Sequence, residues 1–564
     1  MDVSGPRTDA LSMEPSAKLF CCGFVRRCIP LVYREELYHI LRMTGPLLVC
    51  RFLNFLLFFV VTMFCGRLGN TVLAGYAMAS ATINVTAAAT GLGLALACDT
   101  LVSQTFGSKN LLRVGVTLQR GILILTLFSL PCCALLVNTQ PLLLYLGQDA
   151  EVARIAQLYV VAYLPAIPAM FLYQLQLSYL QNQGVIKPQM YASAVANVAN
   201  VIVNYFLIFS VHFSGSAAAN TFAQVCNCFA LFCFIRWQRI YEKTWGGWSS
   251  EALQDWGSYM KLAIPSTLMT CFEWWIYEVG GFLAGMLSEV DLAAQHVVIM
   301  LAYINYMIPL GMQGAACVRV GNALGAGETA AAILTSKVSL ISAAVIAIFQ
   351  GFILGSTKTY FKFNLTKMTE NVYNVYMWLC VIIIMNIHFS LFQGVGMGIL
   401  LGTGQQKIAA IANLFGYYCI GLPSSIVLMF IAKLQVAGFW LGLLIAVFLL
   451  AIFFIVAIFK LNWKKMTEEV GISGLLKWHF FSNYIGLNCT VVHEGPKVTQ
   501  VEEKPAVLLS TAQLILRRGL TTLAALLMLA VGIAVHLTVP LPEVSYGAGA
   551  NFTLDSNFTT ATPI

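Results

Sequence analysis

Long apolar segments recur along almost the whole chain and are separated by short polar loops. A helix needs about 20 mainly apolar residues to cross the hydrocarbon core of a bilayer, and thirteen segments of the sequence meet that requirement. The pattern therefore predicts an all-α integral membrane protein. The predicted spans are centred near Leu56, Ala87, Leu127, Pro168, Val201, Val225, Tyr277, Ile304, Ala344, Ile384, Val427, Ala446 and Leu527.

The polar segments divide the chain into lobes, loops and tails. Twelve spans fall into two groups of six, and a Lys- and Glu-rich loop separates the thirteenth span from them. Such a loop has little apolar surface to bury, and we expect it to be partly disordered. The predicted segments are a cytosolic tail (1–36), a first lobe (37–240), an inter-lobe loop (241–257), a second lobe (258–460), a cytosolic loop (461–516), a last span (517–540) and an extracellular tail (541–564).

The composition argues against a soluble globule. Hydrophobic residues make up 59% of the chain and charged residues only 10%, so few charges are left to solvate a surface. The formal net charge of +8 is modest for this length and does not indicate nucleic-acid binding. The loops contain no P-loop, HExxH or GxSxG motif. This disfavours an enzyme, a metal site or an ATP-driven pump, and we expect no cofactor.

The distribution of Lys and Arg predicts how the chain is oriented. With the N-terminus in the cytosol, alternate loops place most of these residues on the cytosolic side, as is typical of membrane proteins; the loop at residues 358–367 is an exception. Thirteen crossings then put the C-terminus outside. Asn-x-Thr sequons at Asn364, Asn551 and Asn557 fall on that side, and we expect them to be glycosylated.

The chain repeats itself at an offset of about 219 residues. Pro46 corresponds to Pro265, and at an offset one residue shorter Gly107 corresponds to Gly325. Each half contains an even number of spans, so the repeat is parallel and its axis runs along the membrane normal. The repeat predicts two six-helix bundles that enclose a cleft. That arrangement suits alternating access around a site near the bilayer midplane.

The clearest ionisable groups within a span lie in the seventh. Glu273 and Glu278 stand in an otherwise apolar run, and an ionisable side chain inside the membrane is costly enough to suggest a function. A five-residue spacing turns about 140° around a helix, so we expect the two carboxylates to have different roles. Trp274 and Tyr277 offer aromatic surfaces to a flat or cationic substrate. In the repeat, Glu273 corresponds to the neutral Asn54.

A buried carboxyl group suits the exchange of a proton for an organic cation. Burial disfavours the charged form, so the group can take up a proton near neutral pH and then no longer attracts the cation. The alternative for Glu273 is a structural hydrogen bond to a neighbouring helix. Tyr306 and Asn84 complete the candidate substrate- and proton-binding residues, and interhelical hydrogen bonding is the commoner role of such an Asn. Arg51 and Asp99 are interpreted as snorkelling or structurally paired residues near span ends.

Seven short motifs lie within residues 83–327. They are Ile83–Thr86 (INVT), Ala97–Leu101 (ACDTL), Thr244–Ser249 (TWGGWS), Leu262–Ser266 (LAIPS), Glu273–Trp275 (EWW), Tyr277–Gly280 (YEVG) and Val318–Gly327 (VRVGNALGAG). In these motifs the chain resembles the multidrug and toxin extrusion (MATE) family, specifically its vertebrate branch. The resemblance implies two six-helix lobes, a thirteenth C-terminal span, and exchange of protons for small organic cations at the plasma membrane. The implied partners are organic cations or related solutes, protons and membrane lipid.

The sequence also departs from the family pattern. The resemblance implies two further intramembrane carboxylates, in spans eight and ten, and this chain has Met300 and Ser390 at those positions. Glu273 and Glu278 are carried over as cation and proton sites, whereas the other two are not. We therefore expect weaker attraction for cations, with altered substrates or a different proton stoichiometry.

Two other functions suit a polytopic membrane protein. A lipid or lipid-linked-sugar flippase would also use two lobes, but we would expect a more cationic cleft to hold phosphate groups, and Arg51 is the one candidate. A receptor or scaffold without transport would bind a ligand without moving it, and the internal repeat speaks against this reading.

Overall fold

The computed structural model describes residues 29–211, 213–287, 289–364, 370–471 and 509–540, and the regular structure in these ranges is helical. The first half contains α1 (Leu31–Leu68), α2 (Asn70–Ile83), α3 (Ala89–Gly107), α4 (Leu111–Leu136), α5 (Thr139–Tyr145), α6 (Ala150–Tyr163), α7 (Ala166–Asn182), α8 (Lys187–Val211) and α9 (Phe213–Trp237). The second half contains α10 (Trp256–Gly285), α11 (Glu289–Gly325), α12 (Thr329–Asn364), α13 (Glu370–Thr403), α14 (Gln406–Asn413), α15 (Leu422–Ile426) and α16 (Gln435–Lys460), and α17 (Thr511–Thr538) follows.

Apolar composition makes most of the long helices able to cross a membrane. Within the described ranges, nine helices are long and apolar enough, and the number rises to ten if α6 and α7, which meet at 58°, form one bent span. A helical segment lies over each of the thirteen predicted span centres. The all-helical, multi-pass architecture is thereby confirmed, whereas the number of thirteen crossings stays a prediction.

The apolar core is divided into clusters that lie mainly in one half or the other, although the first-half cluster also includes Trp256, Tyr259 and Ala263 of α10. The cluster in the first half includes Ile83, Leu125 and Phe171, contributed by α2, α4 and α7. The second half has two clusters, one around Phe439 on α16 and one around Leu391 on α13. Helices in a bilayer associate mainly through close packing, because lipid is as apolar as the side chains. Clusters that lie mainly in one half agree with two helical bundles in close contact.

The two halves meet along a seam of glycines that follows the internal repeat. A Cβ at Gly93 on α3 would collide with the backbone of Thr267 on α10, and a Cβ at Gly311 on α11 would collide with Leu48 on α1. The two glycines are 218 residues apart and their partners 219, so one contact repeats the other. Glycines at such crossings let helix backbones approach closely. The seam therefore has the approximate two-fold symmetry that a parallel repeat predicts.

A second pair of seam contacts lies at the ends of α3 and α11. A Cβ at Gly107 would collide with the backbone of Asn322, and one at Gly325 with the backbone of Gln104. The Gln104 side chain also donates a hydrogen bond to the carbonyl oxygen of Gly402 at the end of α13 (2.9 Å). These contacts close the cleft at the face where α1 and α10 begin and α3 and α11 end.

The last helix, α17, is attached to the first bundle from outside. Asn138, which follows α4, donates a side-chain hydrogen bond to the carbonyl oxygen of Gly532 (2.9 Å). Near the start of α17, the Arg518 guanidinium lies 4.1 Å from the ring centre of Trp256, and its Nε donates to the carbonyl oxygen of Leu253 (2.8 Å). The helix is thus tied to the segment that joins the two halves.

The predicted glycosylation sites are not tested by this structure. Asn551 and Asn557 lie outside the described residues, together with the whole predicted tail 541–564. Asn364 is the last residue of α12, and the structure does not describe its side chain. All three sites stay predictions.

Candidate substrate site

A cavity of about 1270 Å³ lies between the two halves and is lined by side chains from both. Its mouth includes Leu146 and Met286, which are 62% and 74% exposed. Its floor, near the seam, includes the buried side chains of Asp99, Gln181 and Gln313. A central cavity that is open at one end and closed at the other is one of the two states that alternating access requires.

Glu273 projects from α10 into the wall of this cavity and is only 5% exposed. Tyr306 of α11, which also lines the cavity, donates a hydrogen bond from its hydroxyl to Glu273 Oε1 (2.7 Å). Burial disfavours a charged carboxylate and a hydrogen-bond donor favours it, so the two influences oppose each other. An acid in this setting can hold a proton or a cation, but not both at once.

Glu278 lines the same cavity but has a different partner. Its polar neighbour is Asn84 of the first half, which lines the cavity as well. Asn84 is the first residue of a π-helical turn, Asn84–Ala88, between α2 and α3, and such turns are frequent at functional sites. Glu273 is therefore hydrogen-bonded within the second half, whereas Glu278 lies near a polar group of the first half. A difference in role between the two acids stays a prediction.

Aromatic side chains cover the wall beside the two acids. Trp274 and Tyr277 both line the cavity. The Tyr277 ring packs against Trp440 of α16, with 6.1 Å between ring centres, and Trp440 Nε1 donates to Gln295 Oε1 (2.8 Å). The faces of aromatic rings attract ammonium groups through the ring quadrupole. This wall can therefore bind both the charge and the flat surface of an organic cation.

Polar groups on the cavity floor are the part of the site that the sequence interpretation missed. Asp99 lies inside α3, eight residues before its end, and accepts a hydrogen bond from Asn182 Nδ2 (2.6 Å). Arg51 lies in the middle of α1, and both residues line the cavity. Asp99 is thus structurally paired, which is one of the two predicted alternatives, whereas the position of both residues on the cavity floor was not predicted. A charge inside an apolar segment of the sequence could have identified Arg51 and Asp99 as site residues. Trp440 and Gln295 have no such feature in the sequence around them.

Carboxylates outnumber basic groups on the cavity surface. Met300 and Ser390 also face the cavity, so both positions at which the resemblance implies acids line it without a charge. In the described ranges, acids do not gather with His or Cys into a group of three that could hold a metal ion. The excess of acidic side chains gives the cavity a negative potential, which attracts cationic ligands. The charged residues of the lining are Arg51, Asp99, Asp149, Glu273 and Glu278.

The match to a known family covers both halves of the chain. The MatE family model matches residues 46–206 and 265–427, which together exceed half of the sequence. This chain belongs to the MATE family. The two matched segments begin 219 residues apart, which is the offset of the internal repeat. The predicted resemblance is confirmed.

MATE relatives match the chain over nearly its whole length. It is 43% identical to multidrug and toxin extrusion protein 1 of Danio rerio, over 95% of this chain and 96% of that protein. It is 41% identical to the Homo sapiens protein of the same name, over 91% of this chain and 95% of that one. The chain is thus a multidrug and toxin extrusion transporter by family.

Solved MATE structures have the same fold. The eukaryotic MATE transporter AtDTX14 superposes with a TM-score of 0.74 at 26% identity, over 78% of this chain and 98% of that chain. The bent form of the Vibrio cholerae MATE transporter VcmN superposes with a TM-score of 0.66 at 17% identity, over 78% of this chain and 99% of that chain. The MATE-type fold predicted from the sequence is confirmed.

Proposed function

We propose that this protein is a proton-coupled antiporter that exports small organic cations, drugs and metabolites by alternating access. One observation carries the proposal. Glu273 is a buried acid with a single hydroxyl donor, Tyr306, on the wall of a cavity shared by both halves. The names of the relatives, which refer to the extrusion of drugs and toxins, support the substrate class.

The coupling is a competition for one carboxyl group. The charged form of Glu273 binds an organic cation, and the protonated form does not. Protonation on the side with more protons releases the cation, and loss of the proton on the other side restores the site. Trp274 and Tyr277 bind the flat part of the substrate. Because Glu278 lies near Asn84 of the opposite half, loading of this second acid acts on the polar groups of both halves.

We further propose a plasma-membrane location with a cytosolic N-terminus and an extracellular C-terminus. In this orientation the seam at the starts of α1 and α10 closes the cytosolic side, and the cavity faces outward. The described state is then the one from which the exported cation leaves. The lobe boundaries at 37–240 and 258–460 and glycosylation at Asn364, Asn551 and Asn557 belong to the same proposal.

The charge of the cavity does not favour a lipid or lipid-linked-sugar flippase. Such a protein would need a cationic cleft to hold phosphate groups, and the charged part of the described lining consists of four acids and one arginine. A receptor or scaffold without transport does not require two repeated halves that meet along a symmetric seam. The charge of the cavity and the symmetric seam therefore favour export of cations.

Uptake of labelled tetraethylammonium into proteoliposomes tests the proposal. Vesicles with an acidic interior impose an outward proton gradient. The wild type is compared with Glu273→Gln and with Glu242→Gln, which alters an exposed acid that lies 3.5 Å from Arg239. We expect gradient-driven uptake in the wild type and in Glu242→Gln, and a roughly tenfold or greater loss in Glu273→Gln, because a charge-assisted contact is removed.

Three outcomes would overturn parts of this proposal. Uptake by Glu273→Gln at the wild-type level would show that Glu273 is not needed for coupling. Wild-type uptake that is insensitive to a protonophore would show that transport is not coupled to protons. No uptake of any organic cation by the folded wild type would show that organic cations are not its substrates. A symmetric size-exclusion peak for each variant shows that the compared proteins are folded.

A further inference from the structure

Arg51 is a positively charged side chain on the floor of the substrate cavity. It lies on α1 one helical turn beyond Leu47, which is buried with Ile186 and Ala315 where the two halves meet. A helical turn rises about 5 Å, so Arg51 stands just above the closed seam. The other charged side chains of the described lining are all acids.

In the part of the chain that the structure describes, the Arg51 guanidinium has no hydrogen-bond or ion-pair partner, and the Asp99 carboxylate is a charged neighbour beyond ion-pair distance. The ion pairs found there join other residues, and Arg51 makes no hydrogen bond. Asp99, on the same floor, is bonded to Asn182 instead. Gln313, which is 8% exposed, has a buried carbonyl oxygen without a hydrogen-bond partner in the described ranges. The floor therefore contains polar groups whose bonding capacity is unused.

A guanidinium group in a confined cavity favours an anion. Its removal from water is unfavourable unless hydrogen-bonded negative charge replaces the lost water. Its planar fork of N–H donors matches a carboxylate at two points. A ligand with only positive charge is repelled by Arg51, whereas a ligand that also carries a carboxylate is attracted at that end.

The opposite charge stands on the other half of the molecule. By the internal repeat, Arg51 corresponds to Thr270, and Asn54 corresponds to Glu273. All four side chains line the cavity. The first half therefore has a base where the second half is neutral, and the second half has an acid where the first is neutral. The cavity therefore has a basic side chain on α1, near Asp99 on the floor, and an acidic side chain on the α10 wall.

We propose that Arg51 forms an anion subsite and that the preferred substrates are zwitterions. Their carboxylate binds Arg51, and their ammonium group binds the wall that holds Glu273 and Glu278. The inference rests on the proposed export of organic cations and narrows its substrate class. The neutral side chains of Met300 and Ser390 agree with it, because fewer acids in the cavity reduce the preference for purely cationic ligands.

Two probes that differ in one charge test the subsite. (4-Carboxybenzyl)trimethylammonium is a zwitterion, and its methyl ester keeps the ring and the quaternary ammonium but has no carboxylate. Uptake of both is measured in proteoliposomes with an acidic interior, for the wild type, Arg51→Gln, Arg51→Lys and Arg67→Gln. Arg67 is an exposed arginine at the end of α1 that does not line the cavity, and it provides the matched control.

The ratio of acid uptake to ester uptake is the decisive quantity. We expect Arg51→Gln to lower this ratio roughly tenfold or more, because charge-assisted hydrogen bonds are lost. Arg51→Lys should keep part of the ratio, since it keeps the charge but not the planar fork, and Arg67→Gln should keep all of it. A ratio that Arg51→Gln leaves at the wild-type value overturns the subsite, and so does an equal loss of both probes.

Calorimetric titration of the purified protein gives a second measurement that does not depend on transport. Weaker binding of the acid probe to Arg51→Gln, with a smaller change for the ester, supports the subsite. Equal binding of the acid to both proteins overturns it. No uptake of the ester by the wild type overturns the proposed cation export instead. A zwitterionic lipid headgroup carries the same two charges, and Arg51-dependent movement of fluorescent phosphatidylcholine without binding of the acid probe overturns the assignment to soluble zwitterions.

Discussion

Glu36 and Arg319 form an ion pair that ties the two halves together at the closed end of the cleft. Arg319 Nε donates to Glu36 Oε1 (3.0 Å), and a second guanidinium nitrogen donates to Oε2. The hydroxyl of Thr335 donates to Oε1 as well (2.7 Å). Bidentate pairs of this kind are stronger than single hydrogen bonds. The ion pair joins α1 to α11, the Thr335 hydrogen bond joins α1 to α12, and both are placed to stabilise the closed seam.

Glu36→Gln is expected to open the seam more often. Loss of the charge-assisted bonds should shift the equilibrium by about 1–3 kcal/mol. Hydrogen–deuterium exchange checks this, because amides at residues 100–107 and 317–325 should exchange faster in the variant. Glu35→Gln is the control, since this neighbouring acid has no ion pair in the described ranges. Equal exchange in both variants would contradict a latch role for Glu36.

Tyr306→Phe is expected to weaken cation transport. The substitution removes the hydroxyl that donates to Glu273, so the charged form of the acid loses a bond worth about 1.5–3 kcal/mol. The kcat/KM for tetraethylammonium uptake should fall roughly tenfold or more. Tyr418→Phe is the matched control, because the Tyr418 hydroxyl is buried without a hydrogen-bond partner in the described chain and does not line the cavity. Similar losses in both variants would show that the Tyr306 bond does not matter.

Met300→Glu is expected to strengthen cation binding. Met300 faces the cavity, and an added carboxylate there should attract a cation by about 1 kcal/mol, which is roughly a fivefold lower KM for tetraethylammonium. Met300→Gln has a similar shape without the charge and should leave the KM near the wild-type value. If Gln lowers the KM as much as Glu does, shape and not charge at this position controls affinity.

Gly107→Ala is expected to destabilise the closed seam. The new methyl group would collide with the backbone of Asn322, and overpacking of this kind costs about 1–3 kcal/mol. The midpoint of thermal unfolding in detergent should therefore fall. Gly45→Ala is the control, since a Cβ at Gly45 meets nothing within 4 Å and alanine favours a helix. Its midpoint should stay constant or rise, and a parallel fall in both variants would refute the close contact.

Part of the candidate site could be predicted from the sequence because its signals are local. Glu273 and Glu278 attract attention because an acid within an apolar span is unfavourable without a function, and the structure places both on the cavity wall. Asp99 carried the same signal but was assigned to a span end, since loop boundaries are hard to place by composition. Gln295 and Trp440 form a hydrogen bond although they are 145 residues apart in the chain. Nothing in the sequence near either residue indicates this contact.

The sequence by itself determined the helical class, the membrane environment and the duplication. Backbone groups in lipid must be bonded within the chain, so long apolar segments can only become helices there, and the offset of about 219 residues marks the two halves directly. Only the tertiary structure decided which end of the cleft is closed and which polar groups meet inside it. These features depend on contacts between distant residues, such as Gly107 with Asn322 and Gly311 with Leu48. Such contacts form only when whole helices pack, and no short stretch of sequence specifies them.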